Sequence, residues 1–389
     1  MHIKVPLKLV NEGQVKILLP DEEVLGKDEA RKIVFYNEVM SFSRDFSICV
    51  LKAYANLSGR KDLRVIEPLT ASGVRGIRYA KEVEEVSKVV ISDVNPIAVN
   101  IARINAVLNK VKEKIVVRLS NANSLLSRYA VKGKRLDAVD IDPFGSPAPF
   151  VDSAIRATSI GGIIALTATD MPPLCGVYPQ VAFRRYGGLS LRTEYCHELA
   201  VRLVLGLLYR EAGKHKLSIK PLISHSTRHY IRVFVQLTGL RDRMNSMGFI
   251  YHCFKCLSRK VVSIEDVPLT RAKCEKCGNQ MDAAGPLWID PIFDRSFCEE
   301  VAKVASSLDL PNKKELKKTL ELILAEADGP PTFYTLDAIS HKYKLRQPKI
   351  RELIEKMRSQ GFRVSPTHFN PKGLRFDGEV SELVKILTH

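Results

Sequence analysis

Residues 139–147 read Val-Asp-Ile-Asp-Pro-Phe-Gly-Ser-Pro, and this stretch decides the fold class of the chain. The largely apolar run over 136–141 predicts a buried strand. The strand ends at Asp142, because Pro143 lacks the N–H that a strand ladder needs and fixes its own φ. The sequence therefore predicts a stiff acid-Pro-aromatic turn at the carboxyl end of a central strand, the edge at which open α/β sheets bind ligands.

The acid-Pro-aromatic turn, residues 142–145, carries groups that suit chemistry on a nucleobase. The Asp142 carboxylate and the Pro143 carbonyl can both accept hydrogen bonds from an exocyclic amino group. The Phe144 ring offers a face on which a heterocycle can stack. A plain strand-ending turn is the alternative interpretation, and the nucleotide-binding pattern that precedes the turn favours the functional one.

Strands and helices alternate along the chain around this turn. The predicted strands that alternate with helices cover residues 63–67, 88–93, 114–119, 136–142 and 161–169. Repeated strand–helix units build a parallel sheet. Two later strands, over 219–226 and 230–238, are joined by a short polar turn and predict an antiparallel hairpin. Such a closing hairpin distinguishes the methyltransferase form of the doubly wound α/β sheet from the dehydrogenase form.

A glycine loop over residues 68–76 follows the first strand and completes a nucleotide-binding pattern. Ala71 stands where the dinucleotide fingerprint requires its first glycine, which weakens an NAD site without excluding it. Asp93 ends the second strand, where its carboxylate would bind both ribose hydroxyls of NAD or S-adenosylmethionine; a helix cap is the alternative role. Arg75 and Arg78 offer a bidentate clamp for a carboxylate, and two surface arginines on a helix face are the alternative.

Two Cys-x-x-Cys pairs form a second motif. Together they make the four-cysteine cluster, which consists of Cys253, Cys256, Cys274 and Cys277. Two thiolates at i and i+3 in a tight knuckle reach one ion, so the two pairs predict a structural zinc site without an open coordination position. Two disulfides or four reduced thiols are the alternatives, because heat-adapted microbes form disulfides inside the cell. Zn²⁺ occupancy stays open at this point.

Composition and charge narrow the class of partner. The chain has 389 residues, of which 45% are hydrophobic, and it contains neither an apolar run of membrane-spanning length nor a signal-peptide core. We therefore expect a soluble, cytoplasmic protein without a membrane partner. Lys and Arg number 60 against 43 acids, a net charge of +17, which favours a polyanionic partner such as RNA or DNA.

The C-terminal part of the chain has the character of a nucleic-acid-binding module. Residues 331–389 hold 11 Lys and Arg against 6 acids. A helix, turn, helix and strand are predicted over 335–364, which suggests a winged-helix module. Its basic set consists of Lys342, Lys344, Arg346, Lys349 and Arg351.

Taken together, these motifs resemble those of the tRNA (guanine-26-N2)-dimethyltransferases of archaea and eukaryotes. The matching segments span nearly the whole chain. They are Phe-Tyr-Asn at 35–37, Ser-Arg-Asp at 43–45, Leu-Thr-Ala-Ser-Gly-Val-Arg-Gly-Ile-Arg at 69–78, Asp-Ile-Asp-Pro-Phe-Gly-Ser-Pro at 140–147, Tyr-Gly-Gly at 186–188, Arg-Thr-Glu-Tyr-Cys-His-Glu at 192–198 and Thr-His-Phe-Asn-Pro at 367–371. Ser43, Glu38 and Asn121 depart from the family pattern, which has Asn, Pro and a carboxylate at these places.

The resemblance implies an activity and a set of site residues. The implied reaction moves one or two methyl groups from S-adenosylmethionine to N2 of guanine 26 in tRNA. Asp142 is the implied catalytic acceptor, assisted by Pro143, with Phe35 and Phe144 flanking the guanine. The implied cofactor residues are Arg44 and Arg75 at the methionine end, Asp93 at the ribose, and Asn121 and Ala122 at the adenine.

The same resemblance and the shifts in composition divide the chain into four parts. Residues 1–60, which show little periodicity, form an N-terminal extension to the active site, and 61–240 form a class I S-adenosylmethionine-dependent methyltransferase domain. Residues 241–295 form the four-cysteine zinc-type module, and 296–389 form a basic, winged-helix-like α+β domain that binds tRNA. Two other functions stay open: a DNA amino-methyltransferase, and a non-catalytic nucleic-acid-binding regulator with a zinc knuckle and a winged helix.

Overall fold

The computed structural model of the chain describes residues 5–240, 246–267 and 272–388. The predicted start of the four-cysteine module at residue 241 lies outside these described ranges. Within them, no helix is both long enough and apolar enough to cross a lipid bilayer.

The N-terminal region forms a hairpin and three helices. Its elements are β1 (Leu7–Glu12), β2 (Val15–Pro20), α1 (Glu22–Leu25), α2 (Lys27–Ile33) and α3 (Ser41–Ser58). Helix α3 is buried along most of its length, including polar residues such as Ser43, Arg44 and Asp45. A helix buried on nearly all sides has no solvent-facing polar stripe. This explains the weak periodicity of residues 1–60.

A seven-stranded sheet forms the centre of the molecule. Its strands and the helices between them are β3 (Leu63–Glu67), α4 (Val74–Glu82), β4 (Val86–Asp93), α5 (Pro96–Leu108), β5 (Ile115–Leu119), α6 (Ala122–Tyr129), β6 (Leu136–Ile141), α7 (Val151–Ala157), β7 (Thr158–Ala168), α8 (Met171–Leu174), α9 (Pro179–Tyr186), α10 (Cys196–Lys214), β8 (Leu217–Thr227) and β9 (Tyr230–Gly239). The strand order is β5-β4-β3-β6-β7-β9-β8. Strands β3 to β7 pair in parallel, and β9 lies antiparallel between β7 and β8. The predicted doubly wound sheet with an antiparallel hairpin is confirmed.

Helices cover the sheet and set the bounds of its strands. Helix α5 packs on β4 and β5, α7 packs on β6 and β7, and α10 packs on β8 and β9. The central strand β6 is buried along its whole length. Helix α10 begins only at Cys196. The preceding residues are held in another conformation, because the Ser190 hydroxyl donates to the Pro173 carbonyl (2.6 Å) and Leu189 pairs with Gly285.

The remaining elements form two small sheets and five helices. They are β10 (Met247–His252), β11 (Arg259–Ser263), β12 (Asp282–Trp288), α11 (Arg295–Ser307), α12 (Lys313–Glu326), β13 (Tyr334–Thr335), α13 (Leu336–Tyr343), α14 (Ile350–Ser359), β14 (Val364–Pro366), β15 (Gly373–Phe376) and α15 (Val380–Thr388). The sheets have the orders β11-β10-β12 and β13-β15-β14. From α13 to β14, the order is the helix, turn, helix and strand that the sequence predicts.

Three hydrophobic clusters form among the described residues, and two of them hold these parts together. The larger core runs from β2 and α3 through the central sheet to α11, α12 and Phe333. The smaller core lies among β13 to α15 and includes Leu257 beside the four-cysteine cluster. Helices α11 and α12 therefore share a core with the central sheet, which fixes the C-terminal elements relative to that sheet.

Candidate active site

The predicted site residues lie at the carboxyl edge of the central sheet. Strand β3 ends at Glu67, β4 ends at Asp93, β5 is followed by Asn121, and β6 is followed by Asp142. Strand β3 lies between β4 and β6, so the chain crosses from one half of the sheet to the other at this point. Such a switch point opens the crevice in which doubly wound sheets bind ligands.

The acid-Pro-aromatic turn is fixed by contacts from β7 and α9. Gly145 N–H donates to Thr169 Oγ1 (2.8 Å), and Thr169 N–H donates to the Gly145 carbonyl (3.0 Å). The Ser146 hydroxyl donates to the Tyr186 hydroxyl (2.8 Å), which donates in turn to Asp170 (2.6 Å). The turn is therefore held in one conformation before any substrate arrives.

The three predicted residues of the turn differ in their exposure. Pro143 is buried, and the Asp142 side chain is 21% exposed. The Phe144 ring is 77% exposed, an unusual position for a large apolar side chain. The turn thus presents a carboxylate and an aromatic face to an incoming molecule.

Arg75 of the glycine loop meets Asp142 across the crevice. Its Nη2 donates to Asp142 Oδ2, and its Nη1 donates to the Ser47 hydroxyl (2.9 Å). Burial opposes ionisation of Asp142, but the charges of Arg75 and Arg232 outweigh it and hold the pKa of this carboxyl below its usual value. Asp142 is therefore ionised at neutral pH and able to accept hydrogen bonds or a proton.

A buried charge network supports this pair, and it was not predicted from the sequence. Arg232 on β9 donates to Asp140 (2.6 Å) and to the Thr167 hydroxyl (2.6 Å), and the Tyr79 hydroxyl also donates to Asp140. Arg75 Nη1 lies 3.8 Å from the Asp140 carboxylate. One sequence signal was available, since an acid and an arginine inside two buried strands each require a charged partner.

Glu67 stands beneath the glycine loop, and it too was not predicted from the sequence. It accepts hydrogen bonds from the Thr70 hydroxyl (2.6 Å) and from Gly76 N–H (3.0 Å). Burial raises the pKa of Glu67 to about 8, although Arg75 and Thr70 act in the opposite direction. A Cβ at Gly76 would overlap the Ile91 side chain, so glycine is required where the loop approaches β4.

Asp93 holds the other side of the glycine loop. One carboxylate oxygen accepts from Ala71 N–H (2.9 Å) and the other accepts from Asn95 N–H (2.9 Å). Asn121 is the exposed N-cap of α6, and Ala122 is buried behind it. Asn121 and Ala122 follow β5, which lies one strand further from Asp142 than β4 does. The predicted cofactor residues therefore lie along the sheet edge at increasing distance from the turn.

The Arg44 side chain is buried and forms an ion pair with Glu12. Its Nε and Nη2 donate to the two oxygens of Glu12 (both 2.6 Å), and Nη2 also donates to the Asn37 carbonyl (3.0 Å). Burial raises the pKa of Glu12, but Arg44 and Arg78 outweigh it and lower that pKa overall. Among the described residues, neither a hydrogen bond nor an ion pair joins Arg44 to Asp142. The ion pair instead joins the Phe-Tyr-Asn segment to β1 and α3.

Phe35 and Phe144 come together at the mouth of the crevice. Their ring centroids are 4.7 Å apart and their planes make an angle of 86°. Phe144 is the more exposed ring, and Phe35 is partly covered. The N-terminal region thus reaches the acid-Pro-aromatic turn through an edge-to-face aromatic contact.

Comparison with known proteins identifies the family. The N2,N2-dimethylguanosine tRNA methyltransferase family matches residues 13–388. The chain belongs to this family. The resemblance that the sequence motifs indicated is therefore confirmed.

Individual members of the dimethylguanosine methyltransferase family match along nearly their whole length. A tRNA (guanine(26)-N(2))-dimethyltransferase from Methanosphaera stadtmanae is 38% identical over 383 residues, with 97% of this chain and 96% of the relative covered. One from Methanothermobacter thermautotrophicus is 37% identical over 382 residues, with 97% and 98% covered. The solved complex of Trm1 from Pyrococcus horikoshii with S-adenosyl-L-methionine is 31% identical, has a TM-score of 0.86, and is covered over 98% of this chain and 100% of its own.

In this dimethylguanosine methyltransferase, the four-cysteine cluster is built from two knuckles of the same form. In each, the residue after the second cysteine has a positive φ: Leu257 at 59° and Gly278 at 70°. Each of these residues donates its N–H to the carbonyl of the first cysteine, at 2.7 and 2.8 Å. The four sulfur atoms lie within 4.8 Å of one another, and all four cysteines are free. The arrangement is able to hold one zinc ion in a closed site.

The family motifs at 192–198 and 367–371 meet away from the crevice. Glu198 pairs with Arg375 (2.9 Å), Arg375 pairs with Glu326 (2.8 Å), and Glu326 contacts His368 (2.6 Å). Burial opposes ionisation of Glu198, but Arg375 and Arg202 outweigh it and lower its pKa to about 2. These motifs therefore join α10 to the C-terminal elements.

The basic set lies on the surface of the C-terminal elements. All five side chains are exposed. Lys342 donates to the Phe254 carbonyl (3.0 Å) next to the four-cysteine cluster, and Lys349 pairs with Glu352 (3.4 Å). The set is therefore accessible to a polyanion and lies beside the four-cysteine cluster.

Proposed function

We propose that this protein transfers one or two methyl groups from S-adenosylmethionine to N2 of guanine 26 in tRNA. The observation that carries the proposal is the juxtaposition of Asp142 and Arg75 at the switch point, with the exposed Phe144 ring on the same turn. Methyltransferases that act on an amino group need an acceptor for the amine and a stacking surface for the base. The acid-Pro-aromatic turn supplies both on one fixed segment.

Asp142 and Pro143 act on the guanine amine. Its lone pair is delocalised into the ring, so the amine is a poor nucleophile until its two N–H groups are held. In our proposal the Asp142 carboxylate and the Pro143 carbonyl each accept one of these hydrogen bonds, which localises the lone pair and fixes its direction. The ionised Asp142 also takes the proton that the amine loses after transfer.

The crevice fits S-adenosylmethionine by its charge. The cosubstrate supplies an electrophilic methyl group on a positively charged sulfur. Arg75 offers a guanidinium to its carboxylate, and the partly exposed Asp93 offers acceptor oxygens to its ribose hydroxyls. We assign Asp93 to the ribose hydroxyls and Arg75 to the methionine carboxylate.

Three further assignments complete the proposed cofactor site. We assign Arg44 to the methionine end of the cosubstrate, and Asn121 and Ala122 to its adenine. Arg44 acts there through its ion pair with Glu12, which holds the Phe-Tyr-Asn segment over the crevice. The exposed N-cap amide of Asn121 takes the place of the family carboxylate next to the adenine.

The aromatic pair receives the flipped base. Guanine 26 must leave the tRNA stack, at a cost of a few kcal/mol. Stacking on an aromatic side chain returns about 1–3 kcal/mol per base. Phe144 offers its exposed face, and Phe35 supports it from the N-terminal region. Stacking on Phe144 therefore offsets part of the cost of extrusion.

Each of the four parts of the chain has its own proposed role. We propose that residues 1–60 cover the active site, 61–240 carry out methyl transfer, 241–295 hold a structural Zn²⁺, and 296–389 bind tRNA. The exposed basic set and the net charge of +17 support the last assignment. We also propose that the protein works in the cytoplasm.

Transfer of a labelled methyl group tests the proposal. The purified protein is incubated with methyl-tritiated S-adenosylmethionine and one of three substrates: a tRNA transcript with guanine at position 26, the same transcript with adenine there, and duplex DNA. We expect label only in the first, recovered as N2-methyl- and N2,N2-dimethylguanosine after nuclease digestion. Label in the DNA, or equal label in the two transcripts, would overturn the proposed substrate.

A further inference from the structure

A second group of metal-ligand side chains lies apart from the four-cysteine cluster. Cys175 follows α8, and Cys196 and His197 open α10. The two sulfur atoms and a ring nitrogen of His197 lie within 4.8 Å of one another. Within the described part of the chain, the His197 ring takes part in no hydrogen bond. Its nitrogens are therefore available to a ligand.

The backbone fixes this arrangement from both sides. Cys175 N–H donates to the Met171 carbonyl (2.7 Å), and the Ser190 hydroxyl donates to the Pro173 carbonyl (2.6 Å). Gly176 packs so closely on residues 191–192 that a Cβ there would overlap their backbone. The segments that carry the two cysteines are thus held together independently of any contact between the thiols.

The geometry points to a metal site: we propose that Cys175, Cys196 and His197 bind a soft divalent ion such as Zn²⁺. Zn–S and Zn–N bonds of about 2.3 and 2.0 Å place the ligand atoms of a tetrahedral site roughly 3.3–3.8 Å apart. The present separations, at most 4.8 Å, are close to that spacing. Cys196 lies at the amino end of the 19-residue helix α10, where the helix dipole favours a thiolate. Three protein ligands leave a fourth position for water.

The ion would stabilise the segment behind the acid-Pro-aromatic turn. Cys175 lies shortly after Asp170, whose carboxylate accepts from Tyr186 (2.6 Å) and Arg185 (2.8 Å). Tyr186 contacts the turn through Ser146. A metal ion between α8 and α10 therefore connects α10 to the segment whose residues Asp170 and Tyr186 hold the turn. This site does not depend on the proposed substrate of the enzyme.

Metal content measured on the full-length protein tests the site. The wild type, Cys196→Ser, His197→Ala and the control Cys298→Ser are prepared without oxygen, loaded with Zn²⁺, freed of loose metal and analysed by mass spectrometry. Cys298 is a buried thiol on α11, outside both cysteine groups, which makes its variant a matched loss of one thiol. Substitution of Co²⁺ adds a thiolate-to-metal absorption band as a second readout.

We expect the wild type and Cys298→Ser to hold one more ion per chain than Cys196→Ser and His197→Ala. We also expect the Co²⁺ band to weaken only in the latter two variants. Equal metal content in all four proteins, each folded by circular dichroism, would overturn the proposal. A Cys175–Cys196 disulfide in the anaerobic wild type would also overturn it. If Cys196→Ser does not fold, His197→Ala, which keeps both thiols, decides the outcome.

Discussion

Replacement of Asp142 with Asn tests the assigned acceptor of the guanine amine. The change keeps the shape of the side chain and removes its charge, and it turns one oxygen into an N–H donor. Arg75 loses one partner but keeps the carboxylate of Asp140 (3.8 Å), so its charge does not become unpaired. We therefore expect a folded protein that is less stable by about 1.5–3 kcal/mol, the contribution of one hydrogen bond to a charged group.

The loss of rate should be much larger than the loss of stability suggests. One positioned group that stabilises a transition state contributes about 2.7–4 kcal/mol, which corresponds to a fall in kcat of roughly a hundredfold to a thousandfold. Arg75 and Asp93 remain in place, so the affinity for S-adenosylmethionine should stay the same. An effect on kcat without an effect on cosubstrate affinity distinguishes an acceptor from a binding residue.

Single-turnover methyl transfer at saturating tRNA measures the rate, and calorimetry measures the affinity for S-adenosylmethionine. Asp152→Asn is the matched control, because Asp152 is a half-exposed carboxylate on α7 that pairs with Arg156 and His215. The control should turn over like the wild type. A rate for Asp142→Asn close to that of the control would refute the assignment. A loss of S-adenosylmethionine binding would instead place Asp142 in the cofactor site.

Four further predictions follow from the same structure. Asp93→Ala should weaken S-adenosylmethionine binding by about 1.5–3 kcal/mol in calorimetry; unchanged affinity would leave Asp93 as a loop anchor only. Cys274→Ser should lower the melting temperature and release Zn²⁺, whereas a chelator that leaves the wild-type melting curve unmoved would contradict a metal-stabilised module. Neutralising the basic set should raise the KM for tRNA and flatten its salt dependence while kcat stays nearly intact; an unchanged salt slope would place the tRNA elsewhere. Because the pKa of Glu67 is raised from 4.5 to about 8, the folded state keeps a proton that the unfolded chain loses in that window, so this group's contribution to stability falls with rising pH. The free energy of unfolding of Glu67→Gln, relative to that of the wild type, should therefore rise between about pH 5 and pH 8, by at most about 1.4 kcal/mol per pH unit. Denaturant unfolding at several pH values measures this difference; a difference that does not change with pH would count against the raised pKa.

The local parts of the candidate site could be predicted from the sequence. Pro143 ends a strand wherever it stands, and Asp93 twenty residues past Gly73 follows from the length of one strand–helix–strand unit. The four-cysteine cluster is equally local within each knuckle, because a positive φ after the second cysteine closes each turn. In each case neighbours in sequence impose the geometry, so spacing is sufficient to predict it.

Contacts between distant segments could not be predicted in this way. Glu12 reaches Arg44 and Arg78 only because β1 folds back over α3 and α4. Arg232 reaches Asp140 from β9 on the far side of β7, a pairing that depends on how the last hairpin enters the sheet. Hydrophobic periodicity does not predict these ion pairs, because it indicates which residues are buried and not which residues they contact.

The sequence by itself determined the sheet, the acid-Pro-aromatic turn, the cysteine knuckles and the family, because each of these is set by local backbone chemistry or by motifs in linear order. The tertiary structure alone decided that Arg75 meets Asp142 across the switch point, that Phe35 reaches Phe144, and that Cys175 lies beside Cys196 and His197. These contacts join segments far apart in the chain, and packing of the cores fixes the distances between them. Spacing along the sequence carries no information on such distances. The charged residues that support the site, Asp140 and Arg232, could therefore be identified only from the tertiary structure.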